Sequence, residues 1–131
     1  MSYDLIVIGG GPAGYVGAIR AAQMGKRVVC VEKEALGGTC LNWGCIPTKA
    51  LLKNAEVYNT MARHAAEYGI SCGEMSVDWP AVIARSRGVS ERLSNGIAFL
   101  FKKNKIEHVF GTARILEPGR VEVTTAEGSK S

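Results

Sequence analysis

Tyr3–Gly14 reads YDLIVIGGGPAG, a short continuous apolar run that ends in glycines. Such a run is the pattern of a strand buried on both faces. The glycines contain G-x-G-x-x-G at Gly9, Gly11 and Gly14, with Pro12 and Ala13 between. A helix is expected over Ala13–Met24, closed by Gly25. A second strand follows over Arg27–Glu32 (RVVCVE) and ends on an acid. Glycine-rich turns alone are weak evidence, but strand, turn, helix, strand and terminal acid together make a dinucleotide fingerprint. In it Gly9 permits the tight turn and Gly11 lets the backbone approach a pyrophosphate. Gly14 brings helix and strand together, and the helix N-terminus offers free N–H groups to phosphates. Glu32 can accept hydrogen bonds from ribose hydroxyls and would repel a 2′-phosphate. The fingerprint serves NAD and FAD alike.

Directly after this unit comes Gly37–Lys49, GGTCLNWGCIPTK, with Cys40 and Cys45 five positions apart. In a regular α-helix an i, i+5 pair is separated by about 8.6 Å between Cα atoms. A disulfide needs roughly 4.4–6.8 Å. The segment is therefore either irregular or unbridged, and Asn42 and Gly44 favour irregular backbone. A bridge here would close too short a loop to constrain the unfolded chain much. Beside a nucleotide site, such a pair reads as a redox centre rather than a staple. Pro47 suits the first turn of a helix expected to run to Tyr68, with Gly69 as its cap. A cysteine at a helix N-terminus gains thiolate character. That makes Cys45 the thiolate-favoured member, with Lys49 one turn along.

Further on, Gly69–Met75 reads as a loop. Asp78 is a candidate N-cap, with Trp79-Pro80 opening a long helix to Lys103 in which Gly88 and Gly96 weaken the propensity. Ile106–Phe110 is expected to add a third parallel strand. Thr112–Leu116 and Arg120–Thr125 flank Glu117-Pro118-Gly119 and form an antiparallel hairpin. Ala126–Ser131 carries no strand or helix pattern. The fold class is α/β, a Rossmann-like βαβ unit with a parallel sheet and a C-terminal β-hairpin.

The 131 residues are enough for one domain with a real core, and a net charge of +4 is mild. The basic residues form no stripe and no stacking aromatics accompany them, so nucleic acid is not the expected partner. No apolar run approaches a membrane span, and no signal or transit peptide is evident. Four cysteines in that context point to a reducing, cytoplasmic setting. Zinc is disfavoured, because C-x4-C without a second pair is not a knuckle and His64 and His108 are isolated. No metal is expected. The C-x-x-C spacing of thioredoxin-like motifs is absent, and no histidine and acid are positioned for a cysteine hydrolase.

Gly9–Gly14 with Glu32, followed by GGTCLNWGCIPTKALL, resembles the flavoprotein disulfide reductases across essentially the whole chain. The wording is closest to their dihydrolipoamide dehydrogenase branch; glutathione and mercuric reductases typically carry Val in place of Leu41. The resemblance implies FAD on the fingerprint, held by Gly9, Gly11, Pro12, Ala13, Gly14, Glu32 and Lys33. Gly37, Gly38 and Thr39 would contact its phosphates or ribityl chain, and Gly111 and Ala113 its adenine. It implies a redox-active Cys40–Cys45 disulfide, with Cys40 exchanging with a dihydrolipoyl dithiol and Cys45 facing the flavin. Lys49 would lie near the flavin N5. In the family cycle NAD⁺ is the final acceptor. The resemblance also implies a homodimeric full-length enzyme serving lipoyl-bearing proteins of 2-oxoacid dehydrogenase complexes or the glycine cleavage system. Family members are several hundred residues long, and their catalytic His–Glu pair comes from a domain that residues 1–131 do not match. These residues are therefore expected to be the N-terminal part of an FAD-binding domain, an incomplete domain inactive by itself. Two other readings are a non-catalytic FAD- or nucleotide-binding or self-associating fragment, and a plain NAD-binding module with incidental cysteines.

Overall fold

The computed structural model describes residues 2–130. In chain order the elements are β1 (Leu5–Ile8), α1 (Pro12–Gln23), β2 (Val28–Glu32), α2 (Gly38–Asn42), α3 (Cys45–Asn59) and α4 (Trp79–Lys103), then β3 (Glu107–Phe110), β4 (Thr112–Glu117), β5 (Arg120–Thr125) and β6 (Gly128–Lys130). A π-helical turn, Thr60–His64, and a 3₁₀ turn, Ala65–Tyr68, extend α3.

The strands β1, β2 and β3 form a parallel sheet in that spatial order, with β2 central and buried at every position. Alternation along β2 sends Val28 and Cys30 into a core with Ala18, Leu36, Leu41, Ile97, Phe101 and Ile106. Val29 and Val31 point to the other face, where β3 and β5 line a cavity of about 760 Å³ with them. Helices thus cover one side of the sheet and the antiparallel β4–β5–β6 strands the other. The expected third parallel strand and hairpin are both present. The hairpin has gained a strand: Gly128–Lys130 pairs with Val123–Thr125. The polar residues 126–130 gave no pattern for this, and the turn is closed by Glu127 N–H donating to Thr125 Oγ1 at 3.2 Å. Ser131, the last residue of that tail, lies outside the described residues.

The helix ends follow from local chemistry. Asp78 caps α4 by accepting from Ala81 N–H at 3.1 Å, and Pro80 sits where no intrahelical N–H is needed. Three helical segments close alike. Lys26 N–H reaches Ala21 O at 3.1 Å, Ile70 N–H reaches Ala65 O at 3.0 Å, and Ile106 N–H reaches Phe101 O at 2.9 Å. Each closure needs a left-handed residue one position earlier. Gly25 and Gly69 supply two, as the sequence pattern suggests, but the third is Lys105, at φ 56°. Along α4, Ser86, Ser90, Ile97 and Phe101 face inward. Gly88 and Gly96 lie within this unbroken helix, and a Cβ at either would meet open space, so neither is there for close packing.

Candidate functional site

The C-terminal ends of β1, β2 and β3 lie side by side. Gly9 N–H donates to Val31 O at 2.8 Å and Gly111 N–H to Glu32 O at 2.9 Å. The Glu32 side chain is buried and accepts from Gly10 N–H at 2.7 Å and Glu34 N–H at 2.8 Å. Each carboxylate oxygen keeps a second lone pair, so Glu32 can hold the turn and still accept from a sugar hydroxyl. Gly14 does what its motif position requires: a Cβ there would lie 1.9 Å from Gly9 O. The first main-chain bond of α1 is Tyr15 N–H to Gly11 O, at 2.9 Å, which leaves the N–H groups of Ala13 and Gly14 without intrahelical acceptors. Pro12, at the first helical position, has none to place.

The glycine pair 37–38 is brought against this turn. Gly37 N–H donates to Gly10 O at 2.8 Å, and a Cβ on Gly38 would stand 2.8 Å from the Gly11 Cα. Two stretches of bare backbone therefore meet, with exposed Thr39 at the head of α2 beside them. A Cβ at Gly111 would strike Thr124 O at 2.6 Å, so that glycine lets β3 turn into β4, where Ala113 pairs with Val123. Lys33 and Lys49 are exposed. The fingerprint residues, Glu32, the 37–39 turn and Gly111 are thus gathered at one edge of the sheet. This bare-backbone cradle, with free helix N–H groups and a buried carboxylate, fits a dinucleotide cofactor.

The cysteine segment is two helices and a break. Cys40 lies in the five-residue α2 and Cys45 is the first residue of α3. Trp43 and Gly44 interrupt the helix, and a Cβ on Gly44 would lie 2.9 Å from Thr39 O. The backbone fold at Gly44 overcomes the separation that a continuous helix would impose. Cys45 stands beside the Cys40 thiol across this break and acts on it through both its side chain and its main chain. Both are free thiols, Cys40 half-buried and Cys45 exposed. The hydrogen bond to Cys45 holds the Cys40 proton and pushes its pKa above the ordinary thiol range, aided by desolvation and by the negative charge of Cys45. The Cys45 main chain and the Lys49 cation pull the other way. Helix α3 begins two residues before Pro47, which occupies the third position, where an N–H has no intrahelical acceptor in any case.

The remaining candidates stay apart from this chemistry. Cys30 is fully buried, and burial, with the Glu32 charge, pushes its thiol up to about 11, so it is inert at neutral pH. His64 pairs with Glu67 at 2.8 Å, and His108 stands edge-on to Phe101 with ring centroids 6.2 Å apart. Among the described residues no group of three His, Cys, Asp or Glu side chains could hold a metal ion, and no helix is long and apolar enough to cross a membrane. Sequence reasoning missed the part played by Asn42, whose amide bonds Leu36 O and Gly38 O, each at 3.0 Å. Its position in C-x-N-x-G-C, directly before the helix break, is the only signal that could have found it.

Comparison with known proteins agrees with this geometry. The pyridine nucleotide-disulphide oxidoreductase family profile matches residues 3–130. A dihydrolipoyl dehydrogenase of Rhizobium etli is 53% identical over 123 residues, covering 93% of this chain and 25% of the relative. That of Zymomonas mobilis is 49% identical over 128 residues, covering 98% and 27%. Among solved structures, the HOCl-induced flavoprotein disulfide reductase RclA from Escherichia coli, in its Cu(II) complex, superposes with a TM-score of 0.80 at 28% identity. That alignment covers 99% of this chain and 26% of the other. The chain thus spans about a quarter of the length of these relatives. With the family profile matched along almost all of its length, the chain belongs to the pyridine nucleotide-disulphide oxidoreductases.

Proposed function

We propose that residues 1–131 form the N-terminal part of the FAD-binding domain of a dihydrolipoyl dehydrogenase, and that Cys40 and Cys45 are its redox pair. The observation that carries this reading is the meeting of the two thiols across the Gly44 break, next to the dinucleotide cradle. In the oxidised form a dihydrolipoyl thiolate attacks the Cys40 sulfur and the Cys40–Cys45 bond breaks. The second lipoyl thiol then displaces Cys40. Two electrons and two protons pass to the protein, leaving two cysteine thiols and a cyclic lipoyl disulfide. In the reduced pair the Cys45 side chain holds the proton on Cys40, with the Cys45 main chain and the Lys49 cation opposing that pull.

The glycines of the fingerprint, the free N–H groups of Ala13 and Gly14, and Glu32 would hold FAD, with Pro12, Lys33, Gly37, Gly38, Thr39, Gly111 and Ala113 around it. Bound there, FAD would supply a two-electron carrier between the dithiol and NAD⁺. Lys49 would sit by the flavin. The reading extends to a homodimeric, cytoplasmic whole protein serving lipoyl-bearing partners, and assigns NAD⁺ reduction to that longer protein rather than to residues 1–131 alone. The names of the relatives support the dihydrolipoyl dehydrogenase part of this reading.

The test is direct. The oxidised chain is mixed with one equivalent of dihydrolipoamide, quenched with an alkylating agent and digested. The peptide carrying Cys40 and Cys45 should pass from bridged to doubly labelled, with one lipoamide formed per chain. A pair that stays reduced under every oxidant, or a bridge that dihydrolipoamide leaves intact, would contradict the assignment. A second reading, a self-associating nucleotide-binding fragment, is favoured by the exposure of Ile8, Val16, Phe99 and Phe110 and by the unpaired outer edge of β1 among the described strands. A monomeric elution volume with one FAD bound would count against it.

A further inference from the structure

A helix of five residues has no stability of its own, so something must hold α2, and Cys40 with it, in place. Asn42 does so with every polar atom of its amide. Its Nδ2 donates to Leu36 O and Gly38 O, each at 3.0 Å, folding the end of α2 back over its beginning. Its Oδ1 accepts from Ser94 Oγ at 3.0 Å, and its main-chain oxygen accepts from Arg87 Nη1 at 2.8 Å. Ser94 and Arg87 both lie on α4. The same helix holds the other half of the segment, since buried Ser86 donates through Oγ to Pro47 O at 3.3 Å. One long, capped helix therefore grips the Cys40 turn and the Cys45 helix separately, on either side of the break at Trp43–Gly44.

We propose that Asn42 and Ser94 are positioning residues for the dithiol: through the Ser94 hydroxyl and the Asn42 amide, α4 holds the Cys40 turn against the head of α3 and so sets how readily the two sulfurs join. The inference rests on the reading of Cys40 and Cys45 as a redox pair. Joining them is an exchange in which the dithiol gives up two electrons and two protons and one glutathione disulfide becomes two glutathione thiols. Its equilibrium constant measures the effective concentration of one sulfur at the other, which falls when the turn is loosened.

The experiment equilibrates the chain in glutathione buffers, quenches with acid and alkylating agent, and counts the bridged Cys40–Cys45 peptide. Removing the Ser94 donor in Ser94→Ala leaves the Asn42 carbonyl oxygen without this partner, a loss equivalent to about fivefold in the constant. Asn42→Ser should lower it at least as far. Ser94→Thr keeps the hydroxyl and should stay within about twofold, taken as the span of a weak hydrogen bond. Asn104→Ala, which removes a similar bond to Leu100 O at the far end of α4, should leave the constant unchanged. In Ser94→Ala the pH midpoint for Cys40 alkylation should also move down toward an ordinary thiol, a change that a general loss of stability does not produce. A Ser94→Ala constant equal to that of the parent, or an equal shift from Asn104→Ala, overturns the proposal. A parent chain that never forms the Cys40–Cys45 bridge overturns the redox reading instead.

Discussion

Gly14→Ala is the substitution the structure opposes most strongly. The added Cβ would lie 1.9 Å from Gly9 O and 3.0 Å from the Gly9 carbonyl carbon. Both are main-chain atoms of the turn, and that turn is held by Gly9 N–H on Val31 O and Gly10 N–H on Glu32. No side chain can swing away, so α1 must move off the sheet by more than an ångström. Overpacking a well-ordered interior costs typically about 1–3 kcal/mol, and a backbone-on-backbone clash belongs at or above the top of that range. Set against a total stability of about 5–15 kcal/mol, a loss of about 3 kcal/mol or more is readily measured. Urea unfolding followed by far-ultraviolet circular dichroism gives it as a fall in midpoint at constant slope. Gly88→Ala is the internal control. It adds the same methyl to a helix position with open space around it and should stabilise by about 0.5–1 kcal/mol. A Gly14→Ala chain within 1 kcal/mol of the parent would refute the close-approach argument for the fingerprint.

Other consequences are as specific. Lys105→Gly removes a side chain from left-handed backbone at φ 56° and should raise stability by about 1 kcal/mol, measured in the same urea titration. Glu32→Ala deprives buried Gly10 N–H of its acceptor, and should cost about 1–3 kcal/mol in stability. The same variant should weaken FAD binding at least about tenfold, read by fluorescence titration. Burial lowers the His108 pKa from 6.5, against an opposing pull from Glu32. The folded chain then binds fewer protons than the unfolded one, so this contribution is present above pH 6.5 and is lost as pH falls through the lowered value. His108→Gln should flatten the stability–pH curve just below 6.5 and leave it unchanged above.

The parts of the fold legible in the sequence are those where one physical signal dominates. Strand β2 is an apolar run because both its faces are covered, and α4 begins directly after Asp78 because that carboxylate caps it. The fingerprint was readable because its glycines sit between a strand, a helix and a terminal acid; Gly14 shows its demand as a contact and Gly9 as left-handed backbone at φ 98°. The less legible parts have no periodic signal. Helix α2 is shorter than two turns, β6 is built from polar residues 128–130, and the π turn at Thr60–His64 leaves the helical composition unchanged. The cysteine pair was half legible. Spacing alone left open whether the sulfurs meet, and Asn42 and Gly44 pointed to irregular backbone. What settles the geometry is a break of two residues with Asn42 tied to α4, whose Ser94 lies 52 positions away. The left-handed Lys105 had no sequence mark at all, since glycine is the usual choice there.

The claim at the centre of the account is that the Cys40–Cys45 pair and a bound flavin exchange electrons. The most direct measurement is the visible absorption of the chain loaded with one equivalent of FAD, followed anaerobically as dihydrolipoamide is added. The account predicts a change in the flavin band that saturates with the opening of the Cys40–Cys45 bridge and is absent in Cys45→Ser. A flavin spectrum indifferent to the state of the two cysteines would contradict it.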